Sequence, residues 1–143
     1  MATRRDAREW AVQMLYRLDM NPVQMEPLLA SFWEETAAEP AARQFAEDLV
    51  RGVASHREEI DRQIAAFARN WSLARMAVLD RNVIRMALFE ILYRDDIPCV
   101  VSINEAVDIA KRFNSPESGR FVNGILDRAR RELEGGAEVG GNG

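Results

Sequence analysis

Apolar residues recur every three to four positions along almost the whole chain, which is the spacing of one face of an α-helix. In the first such segment, residues 4–20, the apolar face consists of Ala7, Ala11, Met14, Leu15 and Leu18. No segment alternates apolar and polar residues over a sustained length, so no strand is predicted. The pattern therefore predicts an all-α protein.

Capping residues and prolines indicate where the first helices begin and end. Thr3 is a good N-cap with Asp6 at the third helical position, and Asn21 followed by Pro22 ends the first helix and starts the second. The third helix is predicted from Pro40 to about residue 70, with a kink allowed within it.

The second half of the chain carries similar boundary patterns. Ser72 is predicted to cap a short helix, and an almost wholly apolar helix over residues 80–94 is predicted to lie at the centre of the protein. Ser102 and Glu105 have the spacing of a capping box for a helix that ends near residue 113, and Ser115 followed by Pro116 is predicted to cap the last helix.

These segments together predict about seven helices in two small packed sub-bundles, roughly residues 1–70 and 71–134, within a single domain. A length of 143 residues is ordinary for one domain. The glycine-rich tail, residues 135–143, is predicted to be disordered.

Composition excludes several classes of protein. With one cysteine, Cys99, and one histidine, His56, neither an internal disulfide nor a Cys/His zinc site is expected, and no metal or cofactor is predicted. No apolar run approaches the roughly 20 residues of a membrane span, and the N-terminal residues lack the apolar core of a signal peptide. A cytoplasmic protein is expected.

Motifs that serve catalysis are also missing from the sequence. It has no GxxxxGK[ST] phosphate loop, no GxGxxG after a predicted strand, no GxSxG nucleophile elbow and no HExxH. Adjacent carboxylates such as Asp95 and Asp96 are typical of a solvated surface. The sequence therefore predicts that the protein is not an enzyme.

Charge is unevenly distributed along the chain, whose net charge is −4. Residues 1–17 contain four arginines and two carboxylates, whereas residues 26–48 contain one arginine and six carboxylates. Arg4, Arg5 and Arg8 lie in the first turns of a helix, where cations oppose the helix dipole. Two interpretations remain equally open: a phosphate-binding site, or a basic end paired with the acidic segment after residue 26.

Two further groups of residues have alternative interpretations. Phe121 lies close to Gly124, and the pair is explained either by a surface aromatic ring that stacks on a base or by close helix packing that needs glycine. Asp80 and Arg85 flank the start of the central helix, where a local pair of surface charges explains them without a partner.

Three blocks of sequence resemble the NusB family of transcription antitermination factors. They are RRDAREWAVQMLY at residues 4–16, LDRNVIRMALFEILYRDDIPCVVSINEAVDIAKRF at 79–113 and SGRFVNGILD at 118–127. Blocks of this length in this order do not arise from helix periodicity. The resemblance covers nearly the whole chain except the glycine-rich tail and implies the all-helical NusB-like fold, with residues 1–134 as one RNA-binding domain.

The resemblance also implies a function. Proteins of this family bind the boxA element of ribosomal RNA transcripts, a short single-stranded RNA, together with the ribosomal protein NusE. The pair joins NusA and NusG on RNA polymerase and suppresses premature termination. Matched by position, the residues expected to contact RNA are Arg4, Arg5, Arg8, Glu117, Gly119, Arg120 and Phe121, and those expected to contact NusE are Asp80, Arg85, Asp95, Asp96 and Pro98.

Two other functions remain as alternatives. A NusB-like domain also occurs as the RNA-binding part of ribosomal RNA methyltransferases, so the chain is alternatively a stand-alone module of that type. A third interpretation is a helical interaction protein that forms a homodimer and buries its arginines. None of the three involves a membrane.

Overall fold

The computed structural model describes residues 2–21 and 24–142, and the side chains up to residue 135. The described residues form seven α-helices and one short 3-10 helix, with no strand among them, which confirms the predicted all-α class. The α-helices are α1 (Arg4–Met20), α2 (Met25–Glu35), α3 (Pro40–Ser55), α4 (Arg57–Phe67), α5 (Val78–Tyr93), α6 (Cys99–Phe113) and α7 (Pro116–Asn142), and the 3-10 helix is Leu73–Arg75.

Helix α1 begins with the predicted cap. The Thr3 hydroxyl accepts a hydrogen bond from the Asp6 backbone N–H at 3.1 Å, and the Asp6 carboxylate accepts one from the Thr3 N–H at 2.8 Å. The prediction that Pro22 begins the second helix lies outside the described residues, and α2 begins at Met25. One face of α1 is buried in the core, and it includes Ala7, Ala11, Val12, Met14 and Leu15.

Helix α5 is the central helix, as its apolar sequence predicts. Every residue from Asn82 to Glu90 is buried, and the helix packs against α1, α3, α4, α6 and α7. Close contact with α3 depends on Gly52, because a Cβ atom at that position would overlap the ring of Phe89. The residues nearest the middle of α5 are therefore surrounded by protein on all sides.

Other predicted boundaries differ in informative ways. The long third helix is divided at His56, whose φ of −112° and ψ of 18° leave the helical range, so that α3 and α4 are separate helices. The Ser115 cap is confirmed, since its hydroxyl accepts from the Ser118 N–H at 3.1 Å. The Ser102–Glu105 capping box is wrong: α6 begins at Cys99, and both side chains lie inside the helix and contact other helices.

One hydrophobic core receives side chains from all seven helices. The division into sub-bundles near residue 70 stays a prediction. Helix α7 extends to Asn142 through much of the segment predicted to be disordered, and disorder of that tail in solution also stays a prediction. Within the described part of the chain, no helix combines the length and the apolar character needed to cross a membrane.

Candidate nucleic-acid interface

Arg4 is exposed on the first turn of α1, where its positive charge adds to the positive end of the helix dipole. Its guanidinium carbon lies 4.6 Å from the centre of the Phe45 ring, which holds the side chain by a cation–π contact. Arg4 and Arg94 line the same shallow cavity of about 380 Å³. Of the three N-terminal arginines, Arg4 is the one most open to an external anion.

Arg5 is half-buried and paired with two carboxylates of α6. Its guanidinium donates to Glu105 and, at 3.0 Å, to Asp108, and these hydrogen bonds raise the pKa of Arg5 further. The acidic segment at residues 26–48, which is the partner in one of the two interpretations from sequence, does not supply these carboxylates. A phosphate at Arg5 would therefore compete with α6 for the guanidinium.

Arg8 is buried, and the prediction that it contacts a phosphate is corrected here. Only 2% of its surface is exposed, and its guanidinium donates two hydrogen bonds of 2.8 Å to Glu90 on α5. Ser102 on α6 donates to the same carboxylate at 2.7 Å. Because Arg8 is enclosed and its charge is matched, its role is to hold α1, α5 and α6 together.

Long charged side chains join α1 and α6, first at Arg5 and then at Arg112. Along this contact Arg112 donates to Glu9 at 2.8 Å, and farther on Tyr16, Met20 and Phe113 are exposed. These three side chains border a groove of about 640 Å³. The sequence did not predict this groove, although Tyr16 and Met20 lie off the apolar face predicted for the first helix.

The start of α7 continues the same surface. Glu117 and Arg120 are exposed there, and their contact with RNA stays a prediction. Gly119, by contrast, is buried, and a Cβ at that position would overlap the side chain of Lys111. The predicted RNA contact of Gly119 is therefore corrected: the glycine allows α6 and α7 to approach closely, with the lysine stem lying over it.

Phe121 is partly buried against the core and contacts a second aromatic ring, that of Trp71. The two ring centres are 5.7 Å apart with an angle of 78° between the planes, which is a T-shaped contact. Trp71 is 52% exposed. The exposure of Trp71 could not be predicted from the sequence, because a tryptophan between two predicted helices resembles an ordinary core residue.

Gly124 differs from the packing interpretation offered for it. No heavy atom would lie within 4 Å of a Cβ at this position, so close helix packing does not explain the glycine. It lies in the exposed part of α7, one turn after Phe121.

Asp80 and Arg85 are both buried, so their predicted contact with NusE is corrected, as is the alternative of an exposed charge pair. Asp80 is 6% exposed and accepts hydrogen bonds from Ser118 at 3.3 Å and Asn114 at 3.5 Å. Arg85, 3% exposed, donates to Asp61 at 2.8 Å and to Asp19 at 3.0 Å. Both side chains connect helices inside the fold.

The remaining residues expected to face a protein partner are on the surface. Asp95, Asp96 and Pro98 are exposed in the connection between α5 and α6. Arg94 donates two hydrogen bonds of 2.9 Å to Asp96, which lower the pKa of that carboxyl to about 2. Exposed Val100 follows directly, so this corner presents an apolar side chain beside two negative charges.

Catalytic groups do not converge in the part of the chain that the structure describes. No group of three potential metal ligands is found among the described residues. His56 stacks on Tyr93 with 3.9 Å between ring centres. Burial raises the pKa of the Cys99 thiol, which disfavours the reactive thiolate.

Comparison with known proteins gives consistent results. The model of the NusB family matches residues 5–131. The transcription antitermination protein NusB of Geobacter sulfurreducens is 49% identical over 134 residues, which cover 93% of this chain and 97% of that protein. Among solved structures, T. maritima NusB has a TM-score of 0.84 at 37% identity, with 92% of each chain covered. A complex of the antitermination factors NusB and NusE with double-stranded RNA contains a similar chain, with a TM-score of 0.83 at 28% identity, covering 90% of this chain and 96% of that one.

Proposed function

The chain belongs to the NusB family of transcription antitermination factors, which are not enzymes, and on that premise we propose that it is an RNA-binding adaptor. In this proposal it binds a boxA-type single-stranded segment of ribosomal RNA transcripts together with NusE. The joint complex then associates, with NusA and NusG, with RNA polymerase in the cytoplasm. Binding of RNA and of NusE is supported by the solved complex of NusB and NusE with double-stranded RNA, whose NusB chain has the same fold.

The observation that carries the proposal is the presence of two kinds of accessible group, arginines and aromatic rings. Arg4 and Arg5 lie on the first turn of α1, and the Trp71–Phe121 pair lies beside the start of α7. Arginines neutralise phosphates and supply affinity without sequence information. Aromatic rings stack on unpaired bases, which is how single-stranded RNA is held. The two kinds of group on separate elements suit an extended single strand better than a compact ligand.

Binding by this chain alone is expected to be weak. Its net charge is −4, and Arg5 and Arg112 are each paired with a carboxylate that RNA must displace. With two or three phosphate contacts, the logarithm of the affinity should fall against the logarithm of salt concentration with a slope of about −2. A partner that also contacts the RNA raises the affinity, and the coupling between the two is reciprocal.

We place the NusE contact at the corner formed by Asp95, Asp96 and Pro98, where Val100 adds exposed apolar surface. This corner lies in the α5–α6 connection, away from the Trp71–Phe121 pair in sequence and on different elements of the fold. The corner adjoins Arg4, because Arg94, which holds Asp96, lines the same cavity as Arg4. NusE and RNA would therefore bind side by side at this end of the protein.

The test is fluorescence anisotropy with a boxA-like RNA, a scrambled strand and a duplex of the same length. We compare the wild type with Arg4→Ala/Arg5→Ala, with and without NusE. The matched control is Arg62→Ala/Arg131→Ala, which removes two exposed arginines from other surfaces. The proposal expects a preference for the boxA strand that NusE strengthens and that only the first variant reduces. Equal binding to all three RNAs, unaffected by NusE, would contradict it.

Self-association is the second candidate, because the groove beside Tyr16, Met20 and Phe113 exposes large apolar side chains. A homodimer that covers this groove would also cover part of the proposed RNA surface. Sedimentation velocity at several protein concentrations, with and without RNA, distinguishes the two. A dimer that dissociates when RNA is added would show that the two functions share one surface.

A further inference from the structure

Trp71 is more exposed than a tryptophan normally is in a folded domain, with 52% of its surface open. It is nevertheless held in a defined position. Its backbone N–H donates to the Ala68 carbonyl at 3.0 Å, and its ring contacts that of Phe121. An ordered, exposed indole is a large flat apolar surface that packing within this chain leaves uncovered.

The T-shaped contact between the two rings leaves room for stacking. In such a contact the edge of one ring meets the face of the other. Each ring therefore keeps at least one face that its partner does not cover. Together Trp71 and Phe121 form a short ridge, the aromatic ridge, between the end of α4 and the first turns of α7.

A depression lies on each side of the aromatic ridge, and both rings line both depressions. The first, of about 320 Å³, also contains Arg75, Ser115 and Glu117. The second, of about 260 Å³, also contains Arg120, Gly124 and Arg128. Each depression thus joins a flat aromatic wall to at least one arginine, which is the combination that binds a nucleotide through its base and its phosphate.

Gly124 keeps the second depression open. It lies inside α7, where glycine is less favourable for a helix than alanine. Because nothing would contact a Cβ there, the fold itself does not require glycine at this position. A larger side chain would instead project into the depression. The glycine therefore leaves room in the depression for a bound ligand.

We propose that Trp71 is a base-stacking residue and that the aromatic ridge separates two successive nucleotides of the bound RNA, one in each depression. This inference rests on the proposed RNA-binding function and specifies where bases are held. Arg75 neutralises a phosphate on the first side and Arg120 on the second. Arg128 is engaged within the fold, since it donates to the Phe67 carbonyl at 3.2 Å.

The experiment combines protein variants with single abasic substitutions along the boxA-like strand, measured by anisotropy in the presence of NusE. Loss of one stacked base costs about tenfold in affinity. We expect Trp71→Leu to lose about as much, and Trp71→Phe to recover most of it. In the wild type, abasic substitution at either of two adjacent positions should weaken RNA binding. In Trp71→Leu, abasic substitution at the position that stacks on the indole should cause no further loss of affinity.

Two further variants separate the ridge from general effects of mutation. Tyr93→Leu removes an exposed aromatic ring elsewhere on the surface and should leave RNA affinity unchanged. Gly124→Leu adds a side chain beside the second depression, and its Cβ would meet no neighbouring atom within 4 Å, so it should weaken RNA binding while the thermal midpoint does not fall. Circular dichroism melting of each variant shows that the fold is retained.

The outcomes distinguish this inference from the function on which it rests. If the wild type with NusE does not prefer the boxA strand, both fail. If it does, and Trp71→Leu binds that strand as tightly as the wild type, the aromatic ridge is not an RNA site and only this inference fails. Loss of NusE binding by Trp71→Leu with unchanged RNA affinity would overturn it as well, because the ridge would then be a protein contact.

Discussion

Arg8 provides the sharpest test of the structure, because the family resemblance makes it an RNA contact and the fold makes it a buried ion pair. We predict that Arg8→Met and Glu90→Gln each destabilise the protein strongly, whereas the double variant Arg8→Met/Glu90→Leu recovers most of the loss. In either single variant one charged or hydrogen-bonding group is left in the core without its partner. In the double variant both are replaced by apolar side chains.

The magnitude follows from the burial of the pair. Arg8 and Glu90 are 2% and 1% exposed and are joined by two hydrogen bonds of 2.8 Å. Removing one partner of such a pair costs about 3–5 kcal/mol. That is a large part of the 5–15 kcal/mol that stabilises a typical domain. It corresponds to a fall of about 2 M in the urea midpoint and of roughly 10–20 °C in the melting temperature.

The double variant removes the ion pair without leaving a charge behind, so we expect it to lie within about 1–2 kcal/mol of the wild type. Ser102 then loses the carboxylate to which its hydroxyl donates, and that hydroxyl can bond a carbonyl of its own helix instead. The control is Arg62→Met, which breaks an exposed pair with Glu59 and should change stability by less than about 0.5 kcal/mol.

Urea denaturation followed by circular dichroism measures all four variants, and RNA anisotropy is then measured on those that fold. The folded double variant should bind the boxA-like RNA with wild-type affinity, because Arg8 is enclosed by protein. A stable double variant with much weaker RNA binding would refute the reasoning. It would mean that Arg8 leaves Glu90 and reaches a phosphate in the complex.

Three further predictions concern stability. Burial alone would raise the pKa of Asp19, but hydrogen bonds from Arg81 and Asn82 and the charge of Arg85 lower it to about 2. Asp19→Asn should therefore cost about 2 kcal/mol of stability at pH 7. Because the wild type loses that stability as the pH falls from about 4 through 2, the urea midpoints of the two proteins should converge over this pH range. Gly52→Ala should cost about 1–3 kcal/mol, because its Cβ would overlap the buried Phe89 ring, and a melting temperature equal to that of the wild type would contradict the packing of α3 on α5. Gly124→Ala should instead raise the free energy of unfolding by about 1 kcal/mol, since its Cβ meets only open space, and a loss of stability in calorimetry would show an unrecognised contact.

Features that depend on residues close in sequence could be predicted well. The Thr3–Asp6 cap and the Ser115 cap each involve atoms three residues apart, so the sequence contains everything that forms them. Ser102 and Glu105 have the same spacing, yet their side chains bond to Glu90 and Arg5 from other helices. A capping pattern fails when a tertiary partner competes for the same side chain, and local spacing does not reveal that competition.

The burial of Arg8 follows from its position on α1 and not from its charge. Arg8 lies on the face of α1 that also presents Ala11, Val12 and Leu15, all of them buried. Glu90 is one of only two charged residues between Val83 and Tyr93, in an otherwise apolar helix. An arginine on one apolar face and a lone carboxylate in another apolar helix together indicate a buried pair. Pairing them across a separation of 82 residues, however, requires knowledge of the packing.

Three positions of this chain depart from what stability alone favours, and all three are on the surface that we assign to RNA. Arg4 places a cation at the positive end of a helix, Trp71 exposes an indole, and Gly124 weakens a helix in which alanine would fit. Arg8, Asp80 and Arg85 look equally unusual in the sequence, but each is matched by a partner inside the fold. Unusual residues with internal partners are explained by folding. Unusual residues that folding does not explain are expected at the site where the protein binds its ligand.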